Sequence, residues 1–176
     1  MIIVGEKINT SLKGVTEFVR ERNAEAIQEL AVSQEELGAD YIDVNCGTLV
    51  DEEVAALPWL VETVQQAVDR PCCIDPAALK AALALHKGVP MINSITAEAG
   101  RYQEMIGLVQ EYQARIVALL IDDTNGISPD AEVRIGIGCR LIEQLAEDGV
   151  PIGDIYIDPL IQPVSTGADM GNVALR

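Results

Sequence analysis

Short apolar runs alternate with longer amphipathic segments along the whole chain. The runs have the length and composition of buried strands, and they fall at residues 2–4, 41–45, 72–75, 89–93, 116–121 and 155–158. The segments between them repeat apolar residues at helical spacing. Because strand and helix alternate six times, the pattern predicts a parallel sheet with right-handed crossovers.

Capping residues place several helix ends. Asn23 is a good N-cap for a helix that ends at Gly38. Pro58 is predicted at the first position of the next helix, after a turn or short helix over residues 51–57. Ser128 is predicted to cap a later helix that stops near Gly149.

Two α/β folds fit this alternation. A (β/α)₈ TIM barrel takes about 250 residues, so the chain would supply about six of eight units and end inside the sixth helix, from residue 169 onward. An open doubly wound sheet would be complete at this length. Polar residues follow nearly every strand, which favours the barrel, and no G-x-G-x-x-G follows the first strand. Residues 1–176 are predicted to form one domain, incomplete at the C-terminus.

Composition narrows the class of protein. The chain has 176 residues, is 49% hydrophobic, and carries a formal net charge of -16 with a pI near 4.2. Nucleic acid and anionic membrane surfaces would repel such a chain, so neither is an expected partner. No apolar run approaches the ~20 residues that span a bilayer. We expect a cytoplasmic protein.

The cysteines and the histidine are expected to have structural roles and not catalytic ones. The four cysteines lack C-x-x-C spacing and are predicted to be buried free thiols; they are Cys46, Cys72, Cys73 and Cys139. The single histidine, His86, is predicted at a helix C-terminus, where a cation is stabilised by the helix dipole. A Ser-His-Asp mechanism and a multi-histidine metal site are therefore not expected.

Acid and amide groups stand where apolar runs give way to polar residues. In both Ile74-Asp75-Pro76 and Ile157-Asp158-Pro159, proline should end the strand at its aspartate. The carboxyl ends of parallel strands are where α/β folds bind ligands. The sequence therefore predicts a small-molecule site, whose candidate residues are Glu6, Asp43, Asn45, Asp75, Asn93 and Asp158.

These motifs together resemble the pterin-binding family of (β/α)₈ barrels, and within it the methyltetrahydrofolate:corrinoid protein methyltransferases. More distantly they resemble dihydropteroate synthase and the folate domain of cobalamin-dependent methionine synthase. The resemblance rests on GEKIN at 5–9, GADYIDVN at 38–45, ID at 74–75, MINS at 91–94 and YIDPL at 156–160.

The resemblance implies a role for each candidate residue. Asp75 and Asp158 match family residues that accept hydrogen bonds from the pterin ring, with Asp43, Asn45 and Glu6 as neighbours in the binding site. Asn93 matches the asparagine that approaches N5, the nitrogen that carries the methyl group. The implied substrate is tetrahydrofolate or 5-methyltetrahydrofolate. The implied methyl-transfer partner is a separate corrinoid protein carrying cobalamin, and the implied assembly is a homodimer.

Two other functions stay open on the sequence. A dihydropteroate synthase-type enzyme would join a pterin pyrophosphate to an aromatic amine, but no convincing Lys/Arg cluster follows the late strands. The second alternative function is a pterin-binding module without catalytic activity. An unclosed barrel would also expose the edges of its first and sixth strands, so we expect residues 1–176 alone to aggregate and a longer natural chain to add about two units.

Overall fold

A computed structural model describes residues 1–74, 78–161, 165 and 170–175. Six parallel strands alternate with helices along these residues, which confirms the predicted α/β fold. The chain divides into two compact units, residues 1–93 and 94–176. The expectation of a single domain stays a prediction, and each unit is described by itself.

The first unit contains four consecutive strands in a sheet. Its elements are β1 Val4–Asn9, α1 Val15–Arg20, α2 Ala24–Glu36, β2 Tyr41–Asn45, α3 Glu53–Ala67, β3 Cys72–Ile74, α4 Leu79–Leu83 and β4 Met91–Thr96, the last of which runs past the unit boundary. The strand order is β1-β2-β3-β4, with parallel pairing throughout. Sequential order in one direction is that of a barrel wall, whereas a doubly wound sheet reverses its order at a switch point.

The caps predicted for α2 are confirmed. The side chain of Asn23 accepts a hydrogen bond from the amide of Ala26 at 3.2 Å. Gly38 follows the helix with φ +93°, a left-handed conformation that glycine adopts without steric cost. The buried face of this helix includes Ile27, Ala31 and, unexpectedly, Gln34.

Pro58 lies inside α3, so its prediction as the first residue of a helix was wrong. The helix begins at Glu53, and buried residues continue on both sides of the proline, from Ala56 and Leu57 to Leu60. Proline costs one backbone hydrogen bond at this position. Burial of one uninterrupted apolar stripe therefore outweighs the local tendency of proline to start a helix.

Two strand boundaries also differ from those predicted. The first strand lies at Val4–Asn9, not at residues 2–4, so Glu6 is part of a strand and not of a loop after it. Strand β4 extends to Thr96, so Asn93 stands inside it and not at its end. In β1 the register shifts between Gly5 and Ile8, so Glu6 lies where the ladder is irregular. In β4, Ile92 pairs with Ile74 of β3 directly before Asn93.

The second unit contains α5 Ala99–Tyr112, β5 Arg115–Leu119, β6 Ile121–Asp122, β7 Gly126–Ile127, α6 Ala131–Glu147, a 3₁₀ turn Ile152–Asp154, β8 Ile155–Asp158 and α7 Met170–Ala174. Strands β5 and β8 pair in parallel, with Leu119 opposite Asp158. The apolar run 116–121 was predicted as one strand, but it breaks at Leu120, and β6 instead forms an antiparallel hairpin with β7.

Local hydrogen bonds explain the hairpin and the start of α6. Asp122 Oδ1 accepts from the backbone amides of Thr124 and Asn125, which closes the turn between β6 and β7. Asp130, not Ser128, caps α6 by accepting from the amide of Glu132 at 2.8 Å. The hydroxyl oxygen of Ser128 instead accepts from the amide of Asp130.

In the described part of the chain, none of the helices combines the length and apolar character needed to cross a membrane.

Candidate functional site

Polar side chains of the first unit share one face of its sheet. Val44 pairs with Ile74 and Ile74 with Ile92, so Asn45 and Asn93 follow at matching register positions. Asp43 lies two residues before Asn45, and side chains two apart on a strand point to the same face. The register thus places Asp43, Asn45 and Asn93 on one surface, which we call the polar face.

Asp43 is the most buried of the three, with 4% of its surface exposed. It pairs with Cys73 across β2 and β3, and the Cys73 thiol donates a hydrogen bond to its carboxylate. Burial, and then the charge of Asp43, raise the pKa of Cys73 far above its usual range. The thiol therefore stays protonated beside the carboxylate.

Glu6 is exposed, in an irregular part of β1 where the register shifts between Gly5 and Ile8. Gln34 of α2 holds this part of the strand, since its Oε1 accepts from the amide of Lys7 at 2.7 Å. A Cβ added to Gly5 would stand 2.6 Å from the same oxygen. Only glycine therefore lets Gln34 approach the backbone beside Glu6.

Asn93 presents its side-chain amide on the polar face. It is partly exposed, and its side chain makes no hydrogen bond to any residue that the structure describes. Its neighbour Asn45 differs, because Asn45 Oδ1 accepts from the amide of Gly47 at 3.1 Å. Of the two amides, Asn93 is the one left to meet a ligand.

Asp75, the other predicted acceptor in this region, lies outside the described residues.

Asp158 belongs to the second unit and ends β8, as predicted. Its Oδ1 accepts from the backbone amide of Leu160 at 2.7 Å, and Oδ2 makes no hydrogen bond within the described residues. Leu160 has φ +57°, which is a strained conformation for leucine. One carboxylate oxygen thus holds the loop, and the other can accept from a ligand.

The predicted cationic role of His86 was wrong. Its Nε2 accepts from the amide of Cys72 at 2.8 Å, so this nitrogen carries no proton. Burial lowers the pKa of His86 to about 4, against an opposing interaction with the backbone of Gly88. Neutral His86 therefore ties the start of β3 to the chain after α4.

Three cysteines are buried as predicted, but Cys139 is exposed on α6. Burial, with a smaller contribution from Asp43, raises the pKa of Cys72 to about 12. Within the described ranges, no three histidine, cysteine, aspartate or glutamate side chains are grouped so as to hold a metal ion.

Sequence reasoning missed two residues that hold candidate groups in place, Gln34 and Arg134. Both are polar residues on the buried face of a helix, with 5% and 2% exposure. Arg134 fits the helical spacing of Ala131, Ile137 and Leu141, so the signal was a polar residue within an apolar stripe.

Comparison with known proteins now adds to this geometry. The sequence profile of the family described as pterin binding enzyme matches residues 6–175. The chain belongs to the pterin binding enzyme family. That match confirms the family resemblance of the sequence motifs.

A curated member of this family is the methylcorrinoid:tetrahydrofolate methyltransferase of Eubacterium limosum. It is 32% identical over 171 residues, which are 94% of this chain and 63% of that protein. The chain thus spans under two thirds of the length of this relative.

Solved structures of pterin binding enzymes confirm the barrel fold. Dihydropteroate synthase from Xanthomonas albilineans, in complex with 7,8-dihydropteroate, matches with a TM-score of 0.70 at 22% identity, over 99% of this chain and 65% of that one. Dihydropteroate synthase from Clostridium difficile, in the presence of pteroic acid, matches with a TM-score of 0.65 at 24% identity, over 92% of this chain and 64% of that one.

Proposed function

We propose that this protein is a methyltransferase that moves a methyl group between N5 of tetrahydrofolate and the cobalt of a corrinoid protein. The observation that carries the proposal is the relative that is 32% identical over 94% of the chain, whose name couples a methylcorrinoid with tetrahydrofolate. The side chain of Asn93, which makes no hydrogen bond to the described residues, would supply the amide that such a reaction needs. In that name the methylated corrinoid comes before tetrahydrofolate, which favours tetrahydrofolate as the methyl acceptor.

Recognition of the pterin would use acceptors and amides in named roles. Asp75 and Asp158 match the family positions that accept N–H bonds from the pyrimidine edge of the ring. Charged acceptors make hydrogen bonds about twice as strong as neutral ones. Asp43, Asn45 and Glu6 would complete the pterin surroundings, with the protonated thiol of Cys73 beside the Asp43 carboxylate.

Asn93 would act at N5. An amide both donates and accepts hydrogen bonds, so it can follow N5 as its protonation changes without being a strong acid. In the favoured direction, the lone pair of N5 would form the new N–C bond and the proton of N5 would pass to water. The corrinoid protein would supply the methyl group and keep the electron pair of the broken carbon–cobalt bond. Asn93 would orient that lone pair along the line of transfer, and no covalent enzyme intermediate is needed.

The test is incubation of the complete natural protein with methylcobalamin and tetrahydrofolate. We expect 5-methyltetrahydrofolate to accumulate while the corrinoid spectrum changes from the methylated to the demethylated form. The same assay is run on Asn93→Ala, which removes the proposed catalytic amide. Its matched control is Gln66→Ala, which removes an exposed amide from α3. Tetrahydrofolate binding without a spectral change would point to a non-catalytic module, and condensation of a pterin pyrophosphate with an aromatic amine would point to a synthase.

The cytoplasmic location and the homodimer also belong to this proposal. The homodimer rests on the family resemblance alone, whereas the cytoplasmic location was expected from the hydropathy of the sequence. Sedimentation of a monomer at micromolar concentration would refute the dimer.

A further inference from the structure

Arg134 is the most deeply buried charged residue in the described part of the second unit, with 2% of its surface exposed. It stands in the first turns of α6, on the face that packs inward with Ile137 and Leu141. Burying a guanidinium is costly unless its donors find acceptors. The hydrogen-bond acceptors of Arg134 therefore indicate its structural role.

Those partners are backbone carbonyls at two places in the chain. Nε donates to Ser128, before α6, at 2.6 Å. Nη1 donates to both Pro159 and Leu160, directly after β8, the second at 3.2 Å. The planar fork of the guanidinium thus holds two backbone segments in one fixed relation.

The held loop contains a strained residue. Leu160 has φ +57°, a left-handed conformation that costs free energy in a residue with a Cβ. Such a conformation persists where its surroundings over-determine it. Here Arg134 binds the Leu160 carbonyl and Asp158 Oδ1 binds the Leu160 amide, so both sides of this residue are held.

From these contacts we infer that Arg134 is a positioning residue for Asp158. It fixes the Leu160 amide, and that amide fixes the Asp158 carboxylate with Oδ2 turned to a ligand. This inference rests on the proposed function, because it takes Asp158 as a pterin acceptor. Arg134 itself touches no substrate in this scheme. Its Nη2 is buried without a hydrogen-bond partner among the described residues, so the contacts of Nε and Nη1 carry the role.

Amide exchange tests the loop without any ligand. In the complete natural protein, Arg134→Lys keeps the positive charge but loses the planar fork. We expect exchange of the Leu160 amide to accelerate roughly tenfold as the loop opens more often. Arg140→Lys, on the exposed side of the same helix, should leave that exchange unchanged, since Arg140 pairs with Asp122. Equal Leu160 exchange in parent and Arg134→Lys would overturn the inference.

A double-mutant cycle tests the link to binding, with tetrahydrofolate as the probe. Arg134→Lys should weaken binding roughly tenfold in the parent but less than about twofold in the Asp158→Ala background, because the arginine acts through that carboxylate. A merely structural arginine would weaken binding by the same factor in both backgrounds, and that result refutes the inference.

Folding and the proposed function are checked separately. Arg134→Met, which keeps a similar apolar stem, takes the place of Arg134→Lys if the lysine variant does not fold. If neither variant folds, Arg134 supports the whole unit and a specific positioning role is refuted. A parent that fails to bind tetrahydrofolate refutes the proposed function and the pterin role of Asp158, whereas the Leu160 exchange result still decides whether the arginine holds the loop.

Discussion

The two units position their polar groups in different ways. In residues 1–93, Asp43 lies within a strand whose first four residues are all buried, and pairing with Cys73 determines where its carboxylate stands. In residues 94–176, every residue of β8 is at least partly exposed, and Asp158 owes its orientation to a loop held by Arg134. Strand register places the carboxylate in the first unit, whereas a buried arginine side chain places it in the second.

The two units should therefore be sensitive to different kinds of mutation. A group placed by register tolerates loop changes but not changes in the strands or in the helix packed on them. A group placed by a loop depends on a few hydrogen bonds, which can be removed one at a time. Substitutions in both units therefore test this contrast.

Asn93→Ala should lower the rate of methyl transfer roughly a hundredfold, since its hydrogen bond is strongest as charge changes at N5. Because register places Asn93, the variant should keep its fold and bind tetrahydrofolate almost normally. Single-turnover rates at saturating tetrahydrofolate measure the effect. A parental rate combined with weaker binding would make Asn93 a pterin clamp only.

Asp158→Ala should weaken tetrahydrofolate binding by about 1.5–3 kcal/mol, or roughly tenfold to a hundredfold. This carboxylate is an anchor in substrate and transition state alike, so the rate at saturation should change little. Titration calorimetry gives the binding constant, and Asp123→Ala, which removes an exposed acid of the same unit, is the control. Loss of rate without loss of affinity would exchange the roles of Asp158 and Asn93.

Gly5→Ala should destabilise the protein by about 1–3 kcal/mol, because the new Cβ would stand 2.6 Å from Gln34 Oε1 and 3.0 Å from its Cδ. The matched change in the second unit is Gly107→Ala, at an exposed helix position with no atom within 4 Å of the added Cβ. That variant should be more stable by about 0.5–1 kcal/mol. Denaturant midpoints compare the two, and a neutral Gly5→Ala would show that Gln34 moves aside freely.

His86 should make stability fall by about 1 kcal/mol as the pH drops from about 6.5 to about 4, a figure reduced for its partial exposure. The folded pKa is below the unfolded one, so the unfolded chain binds the proton first and the contribution is complete only above pH 6.5. His86→Gln keeps an acceptor for the Cys72 amide without titrating. The free energy of unfolding is measured against pH for the parent and for His86→Gln, and the difference between the two curves gives the contribution of the histidine. Parallel curves would refute its role.

Local sequence signals explain much of the agreement between expectation and structure. Asn23 marks the start of α2 and Gly38 its end, because a side-chain cap and a left-handed glycine affect only the few residues beside them. Asp158 ends β8 because the following proline lacks an amide for the ladder. The polar face was foreseeable too, since parallel strands carry their C-terminal residues to one edge.

The strand and helix periods, the caps and the family motifs were readable from the chain alone, because they depend on neighbours three or four residues apart and on residue type. Tertiary packing decided the rest: Pro58 stays inside α3, Asn93 inside β4, and His86 is neutral. These outcomes depend on burial and on hydrogen bonds between residues distant in sequence, such as Lys7 with Gln34 and Arg134 with Leu160. A buried polar residue has one low-energy arrangement only when its distant partner is in place, and no local pattern names that partner.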